Sequence, residues 1–406
     1  MNLALSLLHK RGFLKQCTSL KVLSDLMDRE KIVFYAGVDA TSSSLHIGHL
    51  IPFLAMMHLR QHGHMPIVLI GDSTAKIGDP SGKSEMRKIL SSEEIGNNAL
   101  LIKNQLQRIT KFTSECFIHN SNWLDNLNYI EFLRDVGMHF SVNRMLSFET
   151  YKRRMDFGLS FIEFNYQLLQ SYDYYMLNKI KNCRLQIGGD DQWGNIISGV
   201  DLIRKKNGSE TFGLTFPLIT RSDGKKMGKS EKGAVYLDSN LFSIYDFYQY
   251  FRNTSDSDVK TFLYLFTFLE EDEIELISNF KGNSLNKAKE ILAFEITKIV
   301  HGEAEALKVQ EASFAAFRGS GDRSNIPFFK FSFSSLKEEI LLVDLMLDSK
   351  IVPSKSEGRR LIDSGGVYIN GKRVESQSHL LTKKDFNNNE VELRVGKKNF
   401  YELLYS

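Results

Sequence analysis

The sequence has only three cysteines, and they are isolated from one another and from histidine. Cys17, Cys116 and Cys183 form no CxxC or Cys/His pattern, which argues against a disulfide framework and against a structural zinc site. No apolar run approaches the roughly 18 to 20 residues that span a bilayer. We therefore expect a protein of the reducing cytoplasm, with no membrane segment and no protein-bound structural metal.

The composition also disfavours extensive disorder. The 406 residues are 42% hydrophobic and 25% charged, and this length accommodates two or three domains with buried cores. Of 52 Lys and Arg and 49 Asp and Glu, 10 and 7 lie in residues 351–406, which leaves 42 of each sign elsewhere. The net charge of +3 is thus C-terminal, and an excess this small predicts a solvated surface as readily as phosphate binding.

Hydrophobic periodicity changes along the chain. In the N-terminal half, short apolar runs alternate with amphipathic stretches, a pattern typical of a parallel sheet covered by helices. Strands are predicted at 31–38, 66–70, 116–119 and 184–187, and a helix at 47–62. Helical periodicity without proline extends over 241–315, Gly and Ser mark a linker near 319–335, and a small α+β module follows at 341–395.

Two short motifs predict phosphate binding. His46-Ile47-Gly48-His49 begins a predicted helix just after a strand, so free backbone N–H groups and two imidazoles on one face meet a bound anion. Gly224 to Ser230 forms a basic loop flanked by glycines. The loop count argues against a P-loop at Gly-Lys-Ser 82–84 and 228–230. Only three residues separate the two glycines of each string, whereas a P-loop has four. Taken alone, each basic loop is better explained as a solvated turn.

Four longer strings resemble bacterial-type tyrosyl-tRNA synthetases, members of the class I aminoacyl-tRNA synthetases. They are IGDPSGK at 77–83, FLRDVG at 132–137, FIEFNYQLLQSYD at 161–173 and LQIGGDDQWGN at 185–195. The family's basic motif is usually Lys-Met-Ser-Lys-Ser, and Gly228 replaces its serine here. The resemblance implies an α/β fold in which a Rossmann-like parallel-sheet catalytic domain precedes a helical domain and a small α+β RNA-binding module.

The same resemblance implies domain boundaries. A catalytic domain with a dimerisation insertion is expected at 1–222, and a mobile KMSKS-type loop at 223–240. A helical domain is expected at 241–318, a linker at 319–338, and an RNA-binding domain similar to a ribosomal protein at 339–406.

Carried over residue by residue, the resemblance implies three sets of site residues. Those expected to bind tyrosine are Tyr35, Asp79, Tyr166, Gln170, Asp173 and Gln192. Those expected to bind ATP are Gly37, Asp39, Thr41, Gly48, Gly189, Asp191 and Lys229. Those expected to stabilise the transferring phosphate are His46, His49, Lys83, Arg87, Lys226, Lys229 and Ser230. Asp190 adds a negative charge where relatives often carry a small residue.

The implied reaction joins tyrosine to ATP and then to tRNA(Tyr), with Mg²⁺ on the pyrophosphate oxygens. A homodimer is implied, and neither DNA nor a membrane is an expected partner. Candidate tRNA contacts are Arg204, Lys205, Arg359, Arg360, Lys372 and Arg373. Two alternatives remain open, a tryptophanyl-tRNA synthetase and a relative that binds RNA without catalysis.

Overall fold

The computed structural model describes residues 1–81, 90–220, 222, 224, 227–230, 233–279, 283–318, 328–331, 339–386, 390–396 and 399–405. The chain divides into two compact units. The first comprises Met1–Met227 with Tyr264–Phe266, and the second comprises Gly228–Leu263 with Thr267–Ser406. Among the described residues, no helix is long and apolar enough to cross a membrane.

A six-stranded sheet forms the centre of the first unit. Its strands are β1 Gln16–Cys17, β2 Val33–Asp39, β3 Met65–Gly71, β4 Phe117–His119, β5 Cys183–Gly189 and β6 Phe212–Phe216. Their order is β1-β6-β5-β2-β3-β4, and every pair is parallel except the antiparallel pair of β1 and β6. The sequence predicted four of these strands to within two residues at each end. The fold class is confirmed.

Ten helices accompany this sheet within the described residues. They are α1 Leu3–Lys10, α2 Leu20–Arg29, α3 Leu50–Gln61, α4 Ser92–Thr110, α5 Ser121–Leu124, α6 Tyr129–Asp135, α7 Val142–Ser147, α8 Glu149–Phe157, α9 Phe161–Lys181 and α10 Trp193–Asn207. The helix predicted at 47–62 begins as a 3₁₀ turn at Ile47–His49 and continues as α3.

The strand order creates a crevice at the carboxyl edge of the sheet. The chain runs outward from β2 through β3 to β4 and then returns to add β5 on the other side of β2. At such a reversal the connections leave in opposite directions, and ligands of open α/β sheets bind there. Strand β2 ends at Asp39, β3 at Gly71 and β5 at Gly189, so these three residues lie at the rim of the crevice.

Glycines let α10 approach its neighbours closely. A Cβ atom on Gly199 would lie 3.0 Å from the Tyr174 ring of α9, and one on Gly213 of β6 would lie 2.2 Å from Cγ2 of Ile196. The buried Tyr174 hydroxyl donates to the Phe212 carbonyl at 2.8 Å. These contacts fix α9 and α10, which carry much of the candidate site, against β5 and β6.

The second unit begins with a small hairpin and a group of helices. The hairpin pairs β7 Lys229–Ser230 with β8 Gly233–Ala234. The helices are α11 Ile244–Arg252, α12 Val259–Phe266, α13 Glu271–Ser278, α14 Asn283–His301 and α15 Glu303–Arg318, of which α12 ends in the first unit with Tyr264–Phe266. Arg252 of α11 pairs with Glu290 of α14 at 3.0 Å, and Gln249 donates to Ser313 of α15 at 2.9 Å. The predicted helical character of 241–315 is confirmed for the described residues.

The C-terminal part has its own core and two small sheets. Its elements are β9 Phe328–Phe331, β10 Glu339–Leu341, α16 Leu342–Asp348, α17 Lys355–Asp363, β11 Val367–Ile369, β12 Lys372–Arg373, β13 Leu380–Thr382, β14 Glu390–Val395 and β15 Asn399–Tyr405. One sheet has the order β12-β11-β14-β15-β9, and β10 pairs with β13. Buried Leu342, Met346, Val367, Leu393 and Leu403 contribute to the core.

The expected linker contains a strand, which corrects that part of the sequence analysis. Strand β9 lies inside residues 319–338 and pairs in parallel with β15, so that Phe328 aligns with Glu402. Gly, Ser and Pro around it indicated irregular backbone, but four consecutive residues, FFKF, are aromatic or lysine and fit a sheet edge. The sequence does not predict this edge strand unless its pairing with β15, about 70 residues later, is known.

The close approach of α10 to β6 predicts how Gly213→Ala will behave. The new methyl group overlaps Ile196, so we expect a loss of about 1–3 kcal/mol in the free energy of unfolding. Combined with Ile196→Ala, which removes the clashing atom, the loss should be smaller than the sum of the two single losses. Gly96→Ala is the control, since no atom lies within 4 Å of its added methyl group in α4, and it should be neutral or slightly stabilising. Thermal unfolding of the four variants measures this, and additive losses would contradict the packing described.

Candidate active site

The turn that opens the first candidate motif is capped by its own histidines. His46 is the N-cap of the 3₁₀ turn, and its Nδ1 accepts from the Gly48 N–H at 3.1 Å. His49 Nδ1 in turn accepts from the His46 N–H at 3.3 Å. The two ring centroids lie 3.8 Å apart, so both imidazoles occupy one face, as the sequence predicted.

These caps determine which ring nitrogen carries the proton. Because a backbone N–H is the donor in both hydrogen bonds, Nδ1 of each ring is unprotonated, and the proton of the neutral imidazole lies on Nε2. His49 is exposed and His46 is half-buried. Each ring therefore presents an N–H donor, which is the group that a phosphate oxygen requires.

Two glycines lie near this turn, and they differ in the space around them. A Cβ on Gly48 would lie 3.0 Å from Cε1 of His46, so glycine here keeps the imidazole packed on the turn. Gly37 is exposed in β2, and a Cβ there would meet only the Leu69 carbonyl at 3.9 Å, an ordinary contact. Because no described atom crowds the position of a side chain at Gly37, a ligand can approach the backbone closely there.

Asp39 joins the carboxyl end of β2 to the long helix α9. One of its oxygens accepts from Thr74 Oγ1 at 2.7 Å, and the other accepts from the Tyr166 hydroxyl at 2.9 Å. The Thr41 N–H donates to the Asp39 carbonyl at 2.9 Å. Burial, followed by the charge of Asp39, raises the pKa of Tyr166 well above its usual range. Tyr166 therefore stays neutral, and its hydroxyl oxygen retains a lone pair for a cation.

Three amide side chains and one carboxylate form a continuous network beside Tyr166. Gln192 Nε2 donates to Asp79 Oδ2 at 2.6 Å. Asn195 Nδ2 lies between Gln170 Oε1, at 3.0 Å, and Gln192 Oε1, at 3.2 Å. The predicted residues Asp79, Gln170 and Gln192 are thus brought together, and buried Asn195 is the residue that joins them. An acidic, acceptor-rich site of this kind suits an ammonium group.

The most buried carboxyl group of the candidate site belongs to Asp173. It is 2% exposed, accepts from Trp123 Nε1 at 2.7 Å and accepts from Asn120 Nδ2 at 3.1 Å. Burial raises the pKa of Asp173 to about 8, against the opposing effect of these two donors. Its protonated and ionised forms are therefore close in free energy near neutral pH.

Tyr35 is the partner that the sequence assigned to Asp173. Its side chain is 1% exposed, and its hydroxyl has no hydrogen-bond partner among the described residues. Burial, and then the nearby charge of Asp173, raise the pKa of Tyr35 well above its usual range. A buried hydroxyl without a partner is costly, which points to a polar group supplied by a ligand.

The turn after β5 carries Asp191 between two fixed neighbours. A Cβ on Gly189 would lie 2.7 Å from Asp191 Oδ1, so glycine is needed there for the carboxylate to fold back over the strand. Asp190 points elsewhere, since its Oδ1 accepts from Gln16 Nε2 at 2.7 Å and from Thr215 Oγ1 at 2.9 Å. The extra charge noted in the sequence therefore has neutral donors of its own.

Part of the predicted set cannot be placed against this crevice. Lys83, Arg87 and Lys226 lie outside the described residues. Lys229 and Ser230 form β7 in the second unit, where their backbone pairs with β8. Their roles remain predictions from the sequence motif.

The candidate tRNA residues fall into two groups. In the first unit, Arg204 donates to Asp201 at 3.1 Å, and Lys205 donates to the His139 carbonyl at 2.5 Å, so both already have partners. In the second unit, Arg359 and Arg360 are exposed on α17, and Lys372 and Arg373 are exposed on β12. All six side chains are exposed, and Arg360 of the C-terminal group also has a partner, Glu357.

Sequence reasoning missed the residues that hold the predicted ones in place. Asn120 and Trp123 fix Asp173, Thr74 fixes Asp39, and Asn195 links Gln170 to Gln192. Asn195 closes the string LQIGGDDQWGN, so that string contained a signal. Asn120 and Trp123 lie outside every motif, although Trp123 is one of only two tryptophans.

Comparison with known proteins identifies the family of this chain. The family model for tRNA synthetases class I (W and Y) matches residues 27–318, and the model for the tyrosine–tRNA ligase SYY-like C-terminal domain matches residues 323–403. The chain belongs to this class I tRNA synthetase family. The resemblance stated from the motifs is therefore confirmed.

Individual relatives cover this synthetase from end to end. It is 99% identical to the tyrosine–tRNA ligase of Borreliella burgdorferi (strain ZS7) over 404 residues, which is 100% of both chains. It is 70% identical to the tyrosine–tRNA ligase of Borrelia hermsii (strain HS1 / DAH), again over 100% of both. A C-terminally truncated mitochondrial tyrosyl-tRNA synthetase of Aspergillus nidulans has a solved structure that is similar, with 29% identity, a TM-score of 0.68, and coverage of 76% of this chain and 92% of that one.

The buried carboxyl of Asp173 predicts a pH dependence of stability. Because its folded pKa of about 8 exceeds that of an unfolded aspartate, the folded chain retains a proton that the unfolded chain loses between about pH 4 and 8. The stabilising effect of this proton is fully present below about pH 4 and is lost as the pH rises to about 8. Between these values, the free energy of unfolding of the natural chain should fall, relative to Asp173→Asn, by up to about 1.4 kcal/mol per pH unit. Unfolding of both variants from pH 5 to 8 measures the difference, and parallel pH curves would contradict the raised pKa.

Proposed function

We propose that this chain is a tyrosine–tRNA ligase. It activates tyrosine with ATP to tyrosyl-adenylate and pyrophosphate, and then transfers the tyrosyl group to the 3′ end of tRNA(Tyr). The observation that carries the proposal is the buried Tyr35 hydroxyl without a described partner beside the buried Asp173 carboxyl. The relative that is 99% identical over the whole chain bears this name, and the match to a tyrosine-type C-terminal domain argues against the tryptophanyl alternative.

Recognition of the substrate phenol follows from the burial of these two groups. A phenol oxygen between Tyr35 and Asp173 supplies the partner that the Tyr35 hydroxyl lacks, and it adds a hydrogen bond to the Asp173 carboxyl, which already accepts from Trp123 and Asn120. Phenylalanine enters the same space but leaves the buried Tyr35 hydroxyl unsatisfied. Discrimination of this kind, for which tyrosyl-tRNA synthetase is the standard example, does not require a separate editing site.

The substrate ammonium group is assigned to Asp79, Tyr166 and Gln170. Asp79 supplies the negative charge, while Tyr166 and Gln170 supply oxygen acceptors. Gln192 holds Asp79 through its amide nitrogen and lies toward the substrate carboxylate. Gln170 and Asp173 are three residues apart on α9, so this network and the Asp173 carboxyl lie on the same face of the helix.

ATP is assigned to the rim of the sheet and the 3₁₀ turn. The Nε2–H groups of His46 and His49 donate to phosphate oxygens, with their orientation fixed by the caps on Nδ1. Gly37 and Gly48 leave room for the adenine ring, Asp39 and Thr41 lie beside it at the end of β2, and Asp191 receives the ribose hydroxyls. Gly189 is required for that position of Asp191.

In the first step, a tyrosine carboxylate oxygen attacks the α-phosphorus, and the bond from phosphorus to the bridging oxygen of pyrophosphate breaks. No protein nucleophile takes part. Positioning and neutralisation of charge at the phosphorus supply the rate enhancement. Besides the two histidines, the proposed cationic or polar donors are those of the motif loops, namely Lys83, Arg87, Lys226, Lys229 and Ser230. Mg²⁺ arrives with ATP as its counter-ion.

In the second step, a ribose hydroxyl of the tRNA 3′ end attacks the tyrosyl carbonyl and releases AMP. Arg359, Arg360, Lys372 and Arg373 are the proposed phosphate contacts in the C-terminal part, because all four are exposed. Arg204 and Lys205 are proposed as further contacts, and each must exchange its present partner, as must Arg360, which pairs with Glu357. Three cysteines without disulfide partners fit a cytoplasmic location.

The test of the proposed function is exchange of labelled pyrophosphate into ATP by the purified chain. Tyrosine should support exchange, and phenylalanine and tryptophan should support at least about 10⁴-fold less at equal concentration. Exchange with tryptophan alone would establish the tryptophanyl alternative. No exchange with any of the three, in folded protein that binds tRNA, would establish the non-catalytic relative.

The position of β9 determines how the RNA-binding part should be removed. A cut near residue 335 would leave β9 without its partner β15, so the chain should end after Arg318, the last residue of α15. Residues 1–318 should keep tyrosine-dependent exchange and lose aminoacylation of tRNA(Tyr) by at least about 100-fold, because activation needs no RNA contact. Equal loss of both activities would contradict the division of labour.

We propose a homodimer formed through residues 129–162. Eight of the nineteen large apolar side chains that are exposed among the described residues lie in this short segment, a density typical of an interface. They are Tyr129, Ile130, Met138, Val142, Met155, Phe157, Phe161 and Ile162.

Met138→Glu should convert this dimer to a monomer. Met138 is 72% exposed, so the new charge is tolerated in the monomer but is desolvated in the interface. Leu276→Glu is the matched control, since Leu276 is 68% exposed in the second unit. Sedimentation equilibrium should give half the mass for the first variant and an unchanged mass for the second. A monomeric natural chain, or a dimer that survives Met138→Glu, would contradict this interface.

A further inference from the structure

Asp190 precedes Asp191, the residue that we propose to bind the ribose of ATP, but the Asp190 side chain faces away from the crevice. It is the first residue of the three-residue 3₁₀ turn Asp190–Gln192, which connects β5 to α10. Its Oδ1 accepts two hydrogen bonds, from Gln16 Nε2 at 2.7 Å and from Thr215 Oγ1 at 2.9 Å. Gln16 is 174 residues away in sequence, and Thr215 is 25 residues away.

The two donors are themselves a matched pair. Gln16 of β1 and Thr215 of β6 are direct partners in the antiparallel ladder, so their side chains project on the same side of the sheet. Thr215 is fully buried, and its carbonyl also accepts from the Lys15 N–H at 2.8 Å. One carboxylate oxygen therefore fixes the start of the turn to the edge strand β1 and to its neighbour β6, at the point where the two strands pair.

The other end of the turn is anchored independently. Gln192 donates to Asp79 at 2.6 Å and accepts from Asn195 at 3.2 Å. Asp191 lies between these anchors, and its carboxylate folds over the Gly189 backbone. A 3₁₀ turn of three residues has little internal hydrogen bonding to resist displacement. The side-chain anchors on both sides therefore help to set the position of Asp191, together with the Thr150 hydroxyl, which donates to the Asp191 carbonyl at 3.3 Å.

We propose that Asp190 is a positioning residue for ATP, which sets the location of Asp191 by fixing the turn to β1 and β6. This inference rests on the proposed function of the site, and it adds a role that none of the motifs assigns. What matters is the accepting oxygen at this position, because both donors use Oδ1 alone. Asparagine retains that oxygen and removes the charge, whereas alanine removes both.

The test compares Asp190→Ala and Asp190→Asn in pyrophosphate exchange. Asp190→Ala should raise the KM for ATP about tenfold while the KM for tyrosine changes less than about twofold, because Gln192 keeps its own anchors. Asp190→Asn should restore the KM for ATP to within about twofold of the natural chain. The exposed Asp25→Ala serves as a control for loss of an acidic side chain elsewhere in the first unit.

Thr215→Val separates positioning from a general loss of structure. It removes one of the two donors and should raise the KM for ATP about threefold, while Asp190→Ala with Thr215→Val should be no worse than Asp190→Ala alone. An unchanged KM for ATP in folded Asp190→Ala, a parallel rise of both KM values, an asparagine variant as impaired as alanine, or additive effects would each overturn the proposal.

Direct binding keeps this test distinct from that of the proposed function. ATP affinity, measured by equilibrium dialysis without an amino acid, should fall about tenfold in Asp190→Ala and remain near the natural value in Asp190→Asn. If the natural chain binds ATP but exchanges no pyrophosphate with tyrosine, the proposed function fails while the comparison of affinities still supports or overturns the role of Asp190.

Discussion

The burial of one carboxyl group is the constraint on which the rest of the site depends. Asp173 of α9 is buried, and its burial is tolerated because Trp123 and Asn120 donate hydrogen bonds to its two oxygens. An isolated buried carboxylate is strongly unfavourable, so the group tolerates burial only with such partners or with a proton. Its pKa of about 8 expresses that balance. In the function that we propose, the adjacent Tyr35 hydroxyl makes this position selective for a phenol.

The sheet brings these groups together from distant parts of the chain. Reversal of strand order beside β2 places the ends of β2, β3 and β5 at one rim, and α9 carries Tyr166, Gln170 and Asp173 along it. Glycines at 199 and 213 allow α10 to lie close enough for Gln192 and Asn195 to complete the network. The same close contacts of α10 therefore determine both the packing of the first unit and the position of the site residues at its rim.

Much of the fold and of the site was predictable from the sequence, because strand and helix periodicity and the motif residues are local signals. The four parallel strands, the start of the helix at His46 and the grouping of Asp79, Gln170 and Gln192 are examples. The residues that hold this site in place were not predictable. Trp123, Asn120 and the Asp190 anchors act through partners 25 to 174 residues away, and β9 exists only through its pairing with β15. Such pairings depend on three-dimensional register, which no local pattern records.

The central claim is that the buried Asp173 carboxyl selects tyrosine by its phenol. The most direct measurement is the ratio of kcat/KM for tyrosine to kcat/KM for phenylalanine in pyrophosphate exchange, for the natural chain and for Asp173→Ala, together with the affinity for ATP. We expect the ratio to fall by at least about 100-fold in the variant, while ATP affinity changes by less than about threefold. An unchanged ratio in the folded variant would show that Asp173 does not select tyrosine by its phenol.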